Sequence, residues 1–383
     1  MTEPDLDRLD DVAGLTAADP QDMLRAVATS AAQIRASLTA TREAALAPLG
    51  LDERPRAIVV AGMGGSAVSG DVLAAVVGLG CPVPVVVHRG PGLPGWVGAA
   101  DLVVAVSCSG GTAETLAAAG EAVRRHARLL GVGSGDSPLE ALCSSGGGSY
   151  VPVTKQLSPR STMWGLVVPL LVVAERFGLA DLGVAHAHLE AAAVQLESLA
   201  TLCGPDRESF LNPAKALAAE LSGALPMVWG SGQMGPVAAA RAVNQIAENA
   251  KLPAIAGALP EAAHNQVVAF DGPLAAGDPD DDLFRDRVDE AAPYRVRLVL
   301  VRDDAGEPAA TRLADVCAEL AGRRGVAVSE ISAQGAGAIE RFASLVGLLD
   351  YASVYLALAY GIDPTPIAPI DELKLAMRDS PTL

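Results

Sequence analysis

The stretch Ala57–Ser66 reads AIVVAGMGGS, five apolar residues that run directly into a turn rich in glycine. An uncharged run of this length is typical of a strand buried on both faces of a parallel sheet. Residues 67–77 behind it are apolar enough to form a buried helix. Strand, glycine turn and helix in this order predict the repeating unit of an α/β fold.

The same order recurs further along the chain. Residues 102–106 predict a strand, residues 107–112 a polar turn and residues 113–126 a helix. In the second half, Pro226–Trp229 leads into Gly230-Ser-Gly232 and a helix, and residues 297–301 predict another buried strand. This weak internal duplication predicts two similar halves with parallel sheets, helices on both faces of each sheet, and a cleft between the halves.

The chain has 383 residues, which exceeds what one hydrophobic core usually serves. Apolar residues at helical spacing between Pro20 and Leu49 predict one amphipathic helix ahead of the first sheet. We therefore predict an N-terminal helical extension at 1–50, a first α/β domain with its connecting helices at 51–203, and a second α/β domain at 204–383. Residues 272–289, dense in Asp, Pro and Gly, predict a surface loop.

Composition excludes several classes of protein. A net charge of −17 repels phosphate backbones, so we expect no nucleic-acid partner. The five cysteines are scattered and form no CxxC pair, which predicts reduced thiols. Residues 1–11 are acidic and lack the basic start and apolar stretch of a secretory signal, so we expect a cytoplasmic protein. The apolar run at 161–174 is too short to span a bilayer, so we expect no membrane partner. His186 and His188 do not share a helix face, and we predict no metal.

The turn Ser107-Cys-Ser109-Gly-Gly-Thr112 brings three hydroxyls and two glycines to the start of a helix. Free N–H groups and the positive end of the helix dipole favour an anion there, and glycine lets the backbone approach it closely. An ordinary capped helix is the alternative, because Ser and Thr are common caps. The position directly after a buried strand favours phosphate binding.

The turn Gly62-Met-Gly64-Gly65-Ser66 has some features of a dinucleotide-binding turn. The strand after it ends near His88-Arg89 without an acidic residue for a ribose, and the third glycine of the dinucleotide pattern is absent. A second sugar-binding turn is the better interpretation. A nucleotide-dependent oxidoreductase rests on the glycines alone, and we predict no cofactor.

Four further residues are candidates for chemistry. Glu248 and His264 lie at predicted ends of elements, where the carboxyl edge of a parallel sheet gathers reactive side chains. Lys374 is one of only four lysines, and Arg160 follows a proline in a loop. Each has an ordinary alternative: a solvated carboxylate, a surface histidine, a helix-surface ion pair and a solvated arginine.

Six motifs together resemble the bifunctional phosphoglucose/phosphomannose isomerase family. In chain order they are Gly62-Met-Gly-Gly-Ser66, Ser107-x-Ser-Gly-x-Thr112, Pro159-Arg160, Glu248-Asn-Ala-Lys251, Pro260-Glu261 with His264-Asn265, and Ile370-Asp-Glu-Leu-Lys374. The resemblance covers residues from about 56 to the C-terminus. It implies two tandem sugar-isomerase (SIS) domains, flavodoxin-like with three αβα layers and a parallel sheet each, in a homodimer that works without metal.

The resemblance also implies roles. Glu248 would move a proton between C1 and C2 of a hexose 6-phosphate, and Arg160 would stabilise the enediolate. His264, supplied in such dimers by the partner subunit, and Lys374 would assist ring opening. The sugar phosphate would be held by the two turns, through Gly65, Ser66, Ser107, Ser109 and Thr112.

Three positions depart from the pattern of the family. Gly111 stands where Asn is common, Cys108 where Tyr is frequent, and Gln266 where Glu is usual. The departures affect sugar-hydroxyl contacts rather than the acid–base residues. Two functions therefore stay open: an isomerase of glucose 6-phosphate, mannose 6-phosphate or both with fructose 6-phosphate, and a non-catalytic sugar-phosphate sensor on the same fold.

Overall fold

The structure, a computed structural model, describes residues 3–180, 186–275, 294–306 and 308–379. Its strands form two sheets in which every pairing is parallel. The strands of the first sheet are β1 (Ile58–Gly62), β2 (Val85–His88), β3 (Leu102–Ser107), β4 (Arg128–Gly133) and β5 (Ser149–Pro152). Those of the second sheet are β6 (Ala224–Ser231), β7 (Ile255–Ala258), β8 (Arg295–Arg302) and β9 (Ala327–Ser332).

Helices precede, connect and cover the two sheets. The first group is α1 (Val12–Ala18), α2 (Met23–Ala28), α3 (Ser30–Glu43), α4 (Gly65–Val77), α5 (Ala113–Arg124), α6 (Pro138–Ser145) and α7 (Met163–Arg176). The second group is α8 (His186–Leu202), α9 (Pro213–Leu221), α10 (Gly235–Gln245), α11 (Pro308–Arg323), α12 (Ala338–Ala359) and α13 (Ala368–Asp379).

The predicted parallel α/β architecture is confirmed. The first sheet has the order β2-β1-β3-β4-β5, which is the flavodoxin-like order, and the second has β7-β6-β8-β9. In both sheets the strand order reverses beside the first strand of the sheet, between β1 and β3 and between β6 and β8. Crevices for ligands open at such reversal points, beyond the carboxyl ends of the strands.

The expectation of one helix over residues 20–49 is wrong, because the helical structure is interrupted at Thr29, between α2 and α3. The Thr29 hydroxyl donates to the carbonyl of Ala26, and the Ser30 hydroxyl donates to that of Val27. Hydroxyls that bond nearby carbonyls compete with the regular helix ladder. The domain limits at 50 and 203 stay predictions, and the predicted loop at 272–289 lies outside the described residues from 276 onward.

The core differs from the expectation of a separate core for each half. One apolar cluster includes Val60 and Val104 from the first sheet together with Val228 and Val299 from the second. Helices α7 and α12 contribute most of their length to this cluster and fill the space between the sheets. Smaller clusters cover the outer faces, under α5 and α6 on the first sheet and under α11 on the second. The two halves are therefore joined by a common helical layer.

Helix α12 is the central element of that layer. Among the described residues it is the one helix long and apolar enough to cross a membrane, yet 94% of its most apolar window is buried inside the protein. Its Phe342 meets Trp164 of α7 edge to face, with ring centroids 5.7 Å apart. These contacts identify α12 as the core helix of the fold.

The backbone packs closely in the turn between β6 and α10, at Gly230. A Cβ atom built on Gly230 would overlap the backbone of Gly235 and Pro236. We predict that Gly230→Ala lowers the free energy of unfolding by about 2–4 kcal/mol in urea titrations. The control is Gly322→Ala in α11, where the added Cβ meets nothing within 4 Å and helix propensity favours alanine by about 1 kcal/mol. Equal stability of the two variants would contradict the close approach.

Candidate functional site

The turn after β3, residues Ser107–Thr112, gathers hydroxyl groups at the start of α5, and we call it the hydroxyl turn. The Ser107 Oγ lies 2.9 Å from the Thr112 Oγ1 and 3.5 Å from the Ser109 Oγ. The backbone N–H of Thr112 points at the Ser107 Oγ, 3.4 Å away. Ser109 and Gly111 are exposed. Ser107 is buried and Ser109 is exposed, so the Ser109 hydroxyl is the one that this turn presents to solvent at the start of α5.

The turn after β1, residues Gly62–Ser66, lies against the hydroxyl turn, and we call it the glycine turn. The Cys108 N–H donates to the Ser66 Oγ over 3.3 Å. Gly64 has φ +50° and ψ −128°, a conformation that side chains strongly disfavour. A Cβ added to Gly65 would lie 3.8 Å from the Arg160 Cα. The glycine turn thus connects the hydroxyl turn to Arg160.

The Arg160 guanidinium is buried, with its side chain 3% exposed. Its Nε donates to the Asn249 Oδ1 over 2.7 Å, and its Nη2 donates to the carbonyls of Pro364 and Thr365 at 2.7 and 3.1 Å. Burial lowers the pKa of this guanidinium, and the nearby Glu248 carboxylate acts in the opposite direction. The interpretation of Arg160 as a solvated loop residue is excluded by this burial.

Arg160 also reaches Glu248. The Arg160 Nη1 lies 3.5 Å from the Glu248 Oε2. Arginine carries five N–H donors, and the partners described so far account for four of them. Within the described residues, one Nη1 hydrogen is left for a further acceptor beside the carboxylate. A fixed cation next to a carboxylate is the arrangement that proton transfer at a carbon beside a carbonyl requires.

Glu248 lies in a π-helical turn, Ile246–Ala250, that continues α10. Such turns are frequent at functional sites, because the extra residue redirects side chains. The Asn249 Nδ2 donates to the Ser353 Oγ over 2.8 Å, which ties the turn to α12. The Glu248 side chain keeps 28% of its surface exposed. A carboxylate held by its backbone and open on one side can face a ligand.

Lys251 ends this turn in a left-handed conformation, with φ +59°. Its Nζ donates to the Glu248 carbonyl over 2.6 Å and to the Pro364 carbonyl over 3.1 Å. Burial lowers the pKa of this ammonium, and the nearby Arg160 adds to the effect. The lysine therefore fixes the backbone of Glu248 and connects it to the segment at 364–365.

His264 and Lys374 are not brought to this cluster within one chain. His264 is exposed in a short helical turn, Glu261–His264, and every residue of α13 from Ala368 to Met377, including Lys374, is exposed. In the described part of the chain neither side chain has a hydrogen bond or an ion pair. The structure thus assembles seven of the nine predicted residues into one contiguous group, and these two lie outside it.

Several contributors escaped the sequence analysis. Asn249 and Lys251 stand beside Glu248 in the quoted motif, which is the signal that could have found them. Pro364 and Thr365 act through carbonyls, which leave no signal in the side chain. The Thr365 Oγ1 is buried and has no hydrogen-bond partner among the described residues.

Two of the departures have structural explanations. The Gln266 Oε1 accepts from the indole N–H of Trp229 over 2.8 Å, and its Nε2 donates to the Ala256 carbonyl over 3.0 Å. The amide thus ties β6 to β7. Burial raises the pKa of the Cys108 thiol, and the nearby Thr162 hydroxyl opposes that rise. Both side chains have partners within their own chain.

The matching edge of the second sheet is built differently. Asp303 corresponds in position to Cys108 of the first sheet. In the first sheet Gly62 pairs with Val106, and Cys108 comes two residues later. In the second sheet Gly230 pairs with Val301, and Asp303 comes two residues later. Its buried carboxylate accepts from the Met234 N–H at the start of α10 over 3.0 Å and from the Arg341 Nε over 2.7 Å. A carboxylate of the chain itself therefore occupies this helix end.

Two flavodoxin-like sheets around a shared helical layer, with hydroxyl and glycine turns at the first reversal point, define the class of tandem sugar-isomerase (SIS) proteins. A family model described as the bacterial phospho-glucose isomerase C-terminal SIS domain matches residues 210–377. A hypothetical protein of Thermus thermophilus has the same fold, with a TM-score of 0.67 at 17% identity over 94% of this chain and 90% of that one.

Curated relatives make the assignment narrower. The bifunctional phosphoglucose/phosphomannose isomerase of Caldicellulosiruptor bescii is 30% identical over 83% of this chain and 88% of its own length. A protein of the same name from Aquifex aeolicus is 28% identical over 84% of this chain and 91% of its own. The chain belongs to the bifunctional phosphoglucose/phosphomannose isomerase family.

Proposed function

We propose that the chain is an aldose–ketose isomerase that interconverts glucose 6-phosphate, mannose 6-phosphate or both with fructose 6-phosphate. The observation that carries the proposal is the contact of Arg160 with Glu248, 3.5 Å apart, directly behind the glycine and hydroxyl turns. The names of the curated relatives favour this enzyme over a non-catalytic sensor. The relatives are named isomerases, and the proposed reaction of this chain uses no cofactor.

The sugar phosphate is bound between the two turns. Gly65, Ser66, Ser107, Ser109 and Thr112 are the proposed contacts. The hydrogen bond from the Cys108 N–H to the Ser66 Oγ holds the turns together. Ser109 is exposed, so its hydroxyl is accessible to a ligand. A strongly acidic chain needs such local groups, because its overall field repels a phosphate dianion.

The reaction requires a base and a cation at the first two carbons of the sugar. Glu248 takes the proton from one carbon and returns it to the other, and the spare Nη1 hydrogen of Arg160 stabilises the enediolate oxygen. Glucose and mannose 6-phosphates differ only at C2, which is planar in the enediolate. One base therefore serves both aldoses.

The active unit is a homodimer in which the partner subunit supplies His264, and Lys374 joins it in ring opening. Both side chains are exposed in the single chain. Apolar residues are exposed around them: Val268 to 72%, Ile255 to 41% and Leu373 to 65%. Apolar surface next to polar residues marks contact sites between proteins, and a two-fold dimer would cover two such surfaces at once.

The proposed setting is the cytoplasm, with a hexose phosphate as the small-molecule partner and no nucleic acid or membrane. The five cysteines are free thiols, four of them buried. Free thiols are typical of a reducing compartment.

Replacement of Glu248 tests the base. We predict that Glu248→Gln lowers kcat by at least about a hundredfold, because the amide cannot accept the proton, while hexose 6-phosphate binding persists. Turnover is measured by NMR with each hexose 6-phosphate, and binding by calorimetry. The control is Glu319→Gln on the exposed face of α11. Undiminished turnover in the Glu248 variant would remove this residue from the mechanism.

Replacement of Ser109 tests the phosphate site. One lost hydrogen bond to a charged group corresponds to about 1.5 kcal/mol, so we predict that Ser109→Ala weakens binding of inorganic phosphate and of fructose 6-phosphate about tenfold. Ser145→Ala, exposed on α6, is the control and leaves both dissociation constants unchanged. Equal constants for the Ser109 variant and the wild type would argue against the hydroxyl turn as the phosphate site.

Mixing of two inactive variants tests the contribution of the partner subunit. Glu248→Gln and His264→Ala homodimers each lack one group in both sites. A heterodimer regains one complete site, so random exchange of subunits restores about a quarter of the wild-type activity. Activity of the unfolded and co-refolded mixture is compared with that of the separate variants. No recovery would mean that both residues act within one chain.

A further inference from the structure

A buried ion pair lies behind Arg160. The Arg241 Nε and Nη2 on α10 donate to the Asp350 Oδ1 and Oδ2 on α12 at 3.0 and 2.7 Å, and the two side chains are only 4% and 6% exposed. The Gln245 Nε2 adds a third bond to the same carboxylate over 3.1 Å. Two parallel hydrogen bonds to one carboxylate fix the orientation of an arginine side chain more firmly than a single bond does.

The ion pair also donates one hydrogen bond to the backbone of Arg160. The second hydrogen of the Arg241 Nη2 points at the Arg160 carbonyl, 3.0 Å away. The next carbonyl, that of Ser161, accepts from the Gln33 Nε2 over 2.7 Å. Two consecutive carbonyls of the turn at Pro159–Ser161 are therefore held, one by α10 of the second half and the other by α3 of the N-terminal extension.

The ion pair is not explained by stability alone. Removing two charges from water costs so much that apolar residues of similar volume often serve a fold equally well. An apolar pair could not donate to the Arg160 carbonyl. Arginine can hold a carboxylate with two donors and still direct a third at a carbonyl, whereas lysine lacks this planar fork.

The backbone of Arg160 is the point where a shift would matter. The Arg160 Cα lies 3.8 Å from a Cβ built on Gly65 of the glycine turn. The side chain that extends from the same Cα reaches Glu248. A displacement of about 1 Å in a catalytic group can cost about a hundredfold in rate. A donor that fixes this carbonyl therefore fixes the distance between phosphate and base.

We propose that Arg241 and Asp350 are positioning residues for the isomerase reaction, which hold the Arg160 backbone so that its guanidinium meets the enediolate. This inference rests on the proposed function. Neither residue touches the sugar. The pair acts through one hydrogen bond, from the Arg241 Nη2 to the Arg160 carbonyl.

The test is the double variant Arg241→Met/Asp350→Leu, which removes both charges together and replaces them with apolar side chains. We expect the melting temperature to stay within a few degrees of that of the wild type, since no unpaired charge is left. kcat for fructose 6-phosphate falls at least about tenfold while KM changes less than about twofold, because the hydroxyl turn is untouched. A purely structural role would not separate kcat from KM in this way.

The matched control is Arg56→Met/Asp101→Leu. This pair has the same forked geometry, at 2.9 and 2.6 Å, but lies at the opposite edge of the first sheet, before β1 and β3. Removing it leaves kcat and KM unchanged. A second variant, Arg241→Lys, keeps a cation for Asp350 and so protects the fold, and it lowers kcat because the compact ammonium lacks the planar fork that holds the carboxylate and reaches the Arg160 carbonyl together.

The outcomes are distinct. A folded double variant, or a folded Arg241→Lys if the double variant does not fold, with the kcat and KM of the wild type would overturn the positioning role. A wild-type protein that turns over no hexose 6-phosphate counts against the proposed function instead. The expected loss in kcat alone, absent from the Arg56/Asp101 control, supports the inference.

Discussion

A buried guanidinium needs hydrogen-bond acceptors, and the four that Arg160 finds fix the segments around it. Its partners come from distant parts of the chain: the π-helical turn at Glu248–Asn249 and the carbonyls of residues 364 and 365. None of these segments can move away without leaving a buried charge short of a partner. The π-helical turn that carries Glu248 and the segment before α13 are therefore held in one arrangement by a single side chain.

The common helical layer makes that arrangement possible. Arg160 lies where the first half of the chain passes into α7, and Glu248 lies at the end of α10 in the second half. Because α7 and α12 pack in the same core, the carboxyl ends of the two sheets keep a fixed relation. Interiors packed to crystal-like density transmit such relations with little give.

Much of the fold could be predicted from the sequence because its central strands are uninterrupted apolar runs, as in Leu102–Ser107. The strand β7, with the sequence IAGA, is short, weakly apolar and exposed at its edge, so no pattern marks it. The break at Thr29 depends on which carbonyl a hydroxyl selects, which apolar spacing does not report. In the site, hydroxyls and carboxylates could be recognised as residue types. The carbonyls that hold Arg160 could not, since every residue has one and only the tertiary fold selects among them.

Asp303 makes the two duplicated halves different at corresponding helix ends. Its carboxylate is 1% exposed and neutralised by Arg341, at the helix end that corresponds to the glycine turn of the first sheet. An incoming dianion would find this end already occupied by negative charge. Under the proposed function, the first half would hold the phosphate and the second half would contribute the base, Glu248. The proposed function then implies one sugar phosphate per chain, although the architecture of the chain is repeated.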